Sequence, residues 1–203
     1  VTTYTEGGIE HVQHEIHTTE QIEVVTAGFV ETLLILAGGG GGGGTDADGS
    51  SYAGGSGGAG GSYYKKWYWL EPQVIYGTIG QGGSPGGNRS SGGRGTDTSI
   101  LLDGVTIVCG GGGGGKQMYG ADNTSGRPGS NGGGNGGKGG GASAPGVAAG
   151  TGESTLTNLY LNNKRYGTSR VGGQNTGNGQ GSPKSAGYHG TFLIRYPLIP
   201  EAG

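Results

Sequence analysis

Cysteine occurs once in this chain, at Cys109, so no internal disulfide framework can hold the fold together and the redox compartment stays open. At the end of an apolar stretch, that residue reads as a buried small hydrophobe. Charge is also sparse, at 13% of 203 residues, and the 12 Lys plus Arg are scattered under a net charge of -2, so nothing marks a nucleic-acid partner. The longest apolar run, Leu33 to Ala37, is far too short to span a bilayer. Proline is present only seven times, which excludes the proline-rich collagen repeat. A sustained 3.6-residue period is missing as well, so no significant α-helix is expected. The chain starts at Val1, as a processed or truncated product would.

What fills the space is glycine, at 56 of 203 residues. It falls in short runs with a three-residue rhythm: residues 53-62 and 132-141 repeat in triplets, another phase places glycine at 77, 80, 83, 86, 92 and 95, and a further one at 126, 129 and 132. Three residues per turn is the period of the polyproline II helix, which makes no internal hydrogen bonds and must bond its neighbours or water. Glycine-rich chains without period are usually disordered linkers. Here the phase resets at apolar segments that a linker would not contain, and this pattern predicts a mostly irregular and β chain: a polyglycine II helix bundle with short β-strands and hairpins.

Residues 1-37 differ from the remainder and read as an N-terminal β attachment segment, followed by a glycine-rich sandwich over 38-203. Alternation over His11 to Ile16 suggests extended chain, and Gln21-Val25 and Phe29-Leu36 read as two strands joined by Thr26-Ala27-Gly28. Tyr63-Ile79 splits near Glu71-Pro72-Gln73, and Ser99-Cys109 splits at Asp103-Gly104, a strong hairpin signal. Each hairpin is followed by glycine-rich sequence. Asn162-Asn163 is a further turn-prone pair, and Thr191-Tyr196 is a closing strand expected to pair with the strands near 22-36.

Motifs for small-molecule chemistry are weak. Gly110 to Lys116 formally fits a phosphate loop, but Gln117 replaces the magnesium-binding hydroxyl and no helix opens behind it. His11, His14 and His17 are spaced by threes, which in a strand points His14 away from the other two; solvated strand histidines are expected, and no metal site. Asp46 and Asp48 lack the later acidic ligand of a calcium loop. No nucleophile with a positioned base and no paired carboxylates are evident, so neither enzyme activity nor a cofactor is expected.

The aromatic residues carry more. Tyr63, Tyr64, Trp67, Tyr68 and Trp69 put rings on both faces of one strand, which suits either an interface or packing on the glycine bundle. Met118, Tyr119, Tyr160, Asn162, Asn163, Lys164, Arg165, Tyr166, Tyr188 and His189 fall in loops leaving the glycine scaffold. Polar and aromatic loops on a rigid scaffold are how recognition sites are commonly built, and solvated connectors are the alternative.

A β-segment ending in Leu34-Ile-Leu-Ala-Gly38, strands with Lys65-Lys66 and Tyr76-Gly-Thr-Ile-Gly80, a glycine run after Val108-Cys109 and a closing Gly187-Tyr-His-Gly-Thr-Phe-Leu-Ile-Arg-Tyr-Pro197 together resemble glycine-rich phage tail-fibre domains. The similarity, over roughly residues 22-197, is to the receptor-binding adhesins at the tips of T-even-type long tail fibres. It implies a polyglycine II sandwich whose loops contact a bacterial outer-membrane protein or surface polysaccharide. It also implies an extracellular place on the virion and attachment to other tail proteins through the N-terminal segment, with no membrane insertion. Residues 1-21 are short for the attachment domain of that family. A purely structural virion or extracellular fibre subunit is the alternative.

Overall fold

A computed structural model describes residues 1-38, 59-87, 90-115, 130, 159-166 and 186-198. Its strands are β1 (Thr2–Glu6), β2 (Ile9–Ile16), β3 (Gln21–Val24), β4 (Gly28–Leu36), β5 (Ser62–Leu70), β6 (Gln73–Thr78), β7 (Thr98–Leu102), β8 (Val105–Cys109), β9 (Leu159–Leu161), β10 (Lys164–Tyr166) and β11 (Thr191–Pro197). Among the described residues there is no helix, and hence none long and apolar enough to cross a membrane. Two antiparallel sheets face each other, one ordered β1-β2-β11-β4-β5 and the other β3-β6-β7-β8, with β9-β10 as a separate two-stranded ribbon.

The strand segments read from the sequence are present, but two of the expected hairpins are corners. β3 pairs with β6 while β4 pairs with β11 and β5, so residues 25-27 carry the chain from one sheet to the other, as residues 71-72 do between β5 and β6. Burial explains why. Leu33, Ile35, Phe192 and Ile194 face the inter-sheet core with Ile75, Ile100, Leu102 and Ile107, while Leu34, Leu36 and Leu193 form a second cluster with Leu161 and Tyr166 on the opposite face. β4 therefore needs cover on both faces, which fits its continuous apolar run and places it inside a sheet. As expected, the closing strand pairs back: β11 lies between β2 and β4, with Leu193 opposite Leu34 and Glu15. The division at residue 37 falls inside this arrangement, because strands from both sides of it share both sheets.

Asp103 and Gly104, at φ 49° and 74°, turn β7 into β8, and Asn162 and Asn163, at φ 47° and 57°, turn β9 into β10. Both are two-residue turns with two positive φ values, the geometry that matches strand twist. Gly7 and Gly8 do the same between β1 and β2, a hairpin the sequence reading did not anticipate.

The glycine segments 37-38, 59-61, 79-87, 90-97, 110-115 and 186-190 continue β4, β5, β6, β7, β8 and β11 from the same end of the sandwich. Here the layers meet through backbone: Gly38 N–H donates to Thr96 O, Gly112 N–H to Gly38 O, Gly61 N–H to Gly110 O and Gly190 N–H to Gly80 O, at 2.7–3.1 Å. Along 92-96 the direction alternates by threes. Gly92 and Gly95 donate to Gly115 and Gly112, whereas Gly93 and Thr96 donate to Ser84 and Gln81. Such a period is what a three-residue turn requires of laterally bonded chains. Side-chain-free approach is obligatory: a Cβ on Gly82 would lie 1.8 Å from the Gly187 oxygen, and one on Gly114 1.9 Å from that of Gly92.

Candidate functional site

The β9-β10 ribbon lies over the outer face of the larger sheet, close to the glycine end. Its two-residue turn sets Tyr166 opposite Leu159, and Tyr166 and Leu161 pack on Leu34, Leu36 and Leu193. Tyr166 is 0% exposed and Tyr160 58%, with Asn162 and Asn163 exposed at the tip. The ribbon is thus anchored on one face and presented on the other.

Polar groups tie the anchored face to β2. Gln13 Nε2 donates to the Tyr166 hydroxyl at 3.4 Å, and Lys164 Nζ pairs with Glu15 Oε1 at 2.5 Å while lying 5.3 Å from the centre of the Tyr166 ring. Burial pushes the Tyr166 phenol well above its usual range, reinforced by the Glu15 charge, so this hydroxyl is neutral at physiological pH. His17 sits 3.6 Å from Glu15. Its pKa is lowered, first by burial, against the opposing pull of Glu15, with Lys164 and His189 adding to the decrease.

His189 and Tyr188 belong to the glycine lattice. His189 Nδ1 accepts the Gly82 N–H at 3.1 Å, while Gly187 and Gly190 on either side bond Gly83 and Gly80. Of the residues expected to contact a receptor, the structure exposes Tyr160, Asn162 and Asn163, half-buries Lys164, Tyr188 and His189, and buries Tyr166. Arg165 is the strand partner of Tyr160. Met118 and Tyr119 lie outside the described residues. A ring as buried as Tyr166 holds the ribbon on the sheet and offers no contact of its own to a partner.

The same outer face holds a charged cluster that the sequence reading missed. Arg195, 5% exposed, places Nη2 2.6 Å from Glu6 and Nε 3.1 Å from Glu31, and its guanidinium lies 5.4 Å from the centre of the Tyr4 ring. The Glu31 contact is an ion pair without hydrogen-bond alignment. His11 Nε2 approaches the same Glu31 oxygen at 3.2 Å, stacks on Tyr4, and is buried where a solvated strand histidine was expected. These charges are paired with one another, as buried charges must be.

At the sheet edge, Tyr63 and Tyr68 of β5 pack against the inter-sheet core, whereas Tyr64, Trp67 and Trp69 are exposed at 37%, 55% and 46%. One ring-bearing face is therefore core, though against the second sheet and not the glycine bundle. No curated protein matches the chain. A family description, glycine-rich domain, matches residues 18–194, a span that takes in β3 to β10, most of β11 and every described glycine segment. The chain belongs to this glycine-rich domain family.

Proposed function

We propose that the protein is a receptor-binding adhesin domain of a phage tail fibre or tail tip, acting by binding and not by catalysis. The observation that carries this reading is the β9-β10 ribbon: Tyr166 and Leu161 lock it onto the sheet, while Tyr160, Asn162 and Asn163 project from it. An anchored ribbon that presents an aromatic ring and two amide side chains has little conformational entropy left to lose on binding. Such preorganised aromatic and amide contacts are the usual substance of protein recognition surfaces. The partner is a bacterial outer-membrane protein or surface polysaccharide, and the rest of the virion supplies the support.

Purified protein added to susceptible cells tests this. It should compete with phage adsorption, and Tyr160→Ala, which removes a mostly exposed ring, should abolish competition while the thermal unfolding curve stays put. Wild-type protein that fails to compete would assign the chain to the structural alternative, a fibre or decoration subunit with no receptor role.

A further inference from the structure

The two ends of the sandwich differ. At the glycine end the layers close until backbone bonds backbone, whereas at the other end side chains of both sheets hold them apart. There a cavity of about 390 Å³ lies between the layers, with Ile22 and Val24 of β3 on one side and Val30, Leu70 and Ile194 of the larger sheet on the other. Val25 and Thr26 of the corner form its lip, where Val25 is 75% exposed. Close-packed interiors hold few spaces larger than a water, so a cavity of this size is a feature of the fold.

Its polar groups come as a pair. His14 is the register partner of Ile194 and shares the inner face of β2 with Ile16, while Gln13 and Glu15 on either side of it face the ribbon. Its ring stacks on Tyr196 at 5.8 Å between centres, and its Nε2 stands 3.3 Å from the Tyr196 hydroxyl. Burial lowers the His14 pKa, so the ring is neutral at physiological pH. A neutral imidazole bonded to a phenol spends one donor and one acceptor on that bond. In either tautomer a donor and an acceptor are left over.

Size, charge and these two groups select the occupant. The cavity is about two and a half times the roughly 150 Å³ that accommodates benzene, so two fused rings or the equivalent aliphatic bulk fit. Glu23 borders it, but alternates along β3 with Ile22 and Val24, which pack on the core, so its carboxylate points to the outer face. Among the described residues that line the cavity, none therefore offers a charge inside it, and burying an unpaired ligand charge is costly. A single hydroxyl, at once donor and acceptor, matches the His14-Tyr196 pair.

We infer that this cavity binds a neutral, mostly apolar molecule of about two rings' bulk that carries one hydroxyl, its body between the sheets and its oxygen on His14 and Tyr196. The site lies on the inner face of the sheet whose outer face carries the ribbon, and it goes beyond the receptor reading without depending on it.

Equilibrium dialysis of the full chain against 2-naphthol should show saturable binding of one molecule per chain. Naphthalene, which lacks the hydroxyl, should bind about two- to tenfold more weakly, the scale of one hydrogen bond, and anionic 2-naphthoate at least about tenfold more weakly. His14→Phe combined with Tyr196→Phe should keep naphthalene bound and erase the preference for 2-naphthol. Val24→Phe, which puts a ring into the cavity from a half-buried position, should abolish binding of both. If that chain does not fold, the double variant decides alone. Tyr160→Ala should change neither affinity, which separates this site from the ribbon. Lack of saturation, 2-naphthoate bound as tightly as 2-naphthol, a preference that survives the double substitution, or full binding by folded Val24→Phe would each overturn the proposal.

Discussion

Gly111→Ala should be among the most destabilising single-methyl additions this chain can suffer. An alanine Cβ at that position would stand 2.1 Å from the Gly95 carbonyl oxygen and 2.4 Å from its carbon, both backbone atoms that cannot rotate aside. Restoring ordinary contact at 3.4 Å requires the segments to part by more than an ångström. The bonds that hold them, Gly95 N–H to Gly112 O at 2.9 Å and Gly92 N–H to Gly115 O at 3.0 Å, would then be lost or badly stretched. Losing two such bonds costs about 1–3 kcal/mol at about 0.5–1.5 each, and forced separation of packed atoms adds about 1–3 kcal/mol. The expected loss is therefore about 2–6 kcal/mol, or a Tm lowered by roughly 10 °C for a chain of this size. Gly28→Ala is the matched control. It sits in β4 with nothing within 4 Å of the added Cβ and no left-handed φ, so it should change stability by less than about 1 kcal/mol, in the stabilising direction if at all. Urea unfolding of both variants decides the matter. If Gly111→Ala falls within about 0.5 kcal/mol of Gly28→Ala, backbone contact across the layers is not what holds the glycine end together.

Tyr166→Ala should cost about 3–5 kcal/mol by emptying a fully buried site, whereas Tyr160→Ala should cost less than about 0.5; equal urea midpoints would contradict the anchored-ribbon geometry. Arg195→Ala should cost about 3 kcal/mol, the low end for breaking a buried pair, because the shielded Oε2 of half-buried Glu31 is left beside His11 without its cation, and adding Glu31→Gln to that variant should recover part of the loss in thermal unfolding. Stability should also fall as the pH drops below about 6.5. His14 stacks on Tyr196 and bonds its hydroxyl, and burial lowers its pKa, so the unfolded chain takes up the proton first, and the stability present above that pH is lost on the way down to the folded pKa. His17 acts with the same sign. Urea midpoints measured from pH 7 to pH 5 should show the decline and His14→Gln should flatten it; a midpoint that rises as the pH falls would refute the assignment.

Local signals in this sequence were legible and long-range ones were not. Asp103-Gly104 and Asn162-Asn163 announce hairpins because few residue pairs accept two positive φ values, and both turns are found there. The same rule could have been taken further. A two-residue turn at 162-163 fixes Tyr166 opposite Leu159, on the ribbon face shared with Leu161, so its burial was implied by register even though its neighbours Lys164 and Arg165 suggested an exposed loop. By contrast, a three-residue connector at 25-27 suits a corner as well as a hairpin. What decides is that β4 needs apolar cover on both faces, from strands as far as 163 residues away in the chain (Arg195 opposite Thr32), which no local window contains. The Arg195 cluster was hidden for the same reason, since residues 6, 11, 31 and 195 meet only once β11 has inserted between β2 and β4.

The glycine rhythm pointed to laterally bonded chains, and the structure adds where they sit and what they connect. Facing sheets packed through side chains stand about 10 Å apart, a gap set by side-chain size. When β4, β6, β7, β8 and β11 pass into glycine that spacer disappears, and the layers close until carbonyls of one bond amides of the other. Side-chain packing is thereby exchanged for hydrogen bonds aimed in more than one lateral direction, which resist sliding as well as separation. Leu36 shows the consequence for the outer face: its carbonyl accepts the Thr98 hydroxyl, which itself accepts the Gly80 N–H of the lattice, while its side chain packs with Leu161 and Tyr166 of the ribbon. The position of the ribbon is thus referred to the backbone lattice through the end of β4. A substitution that opens the lattice near Gly82, where an added Cβ would strike the Gly187 carbonyl, should therefore displace the presented face of the ribbon as well as lower stability. Gly82→Ala tests this with two readouts, the urea midpoint and competition for adsorption. Competition reduced at a temperature where the variant is still fully folded is the expected result, and undiminished competition by a destabilised variant would uncouple the ribbon from the lattice.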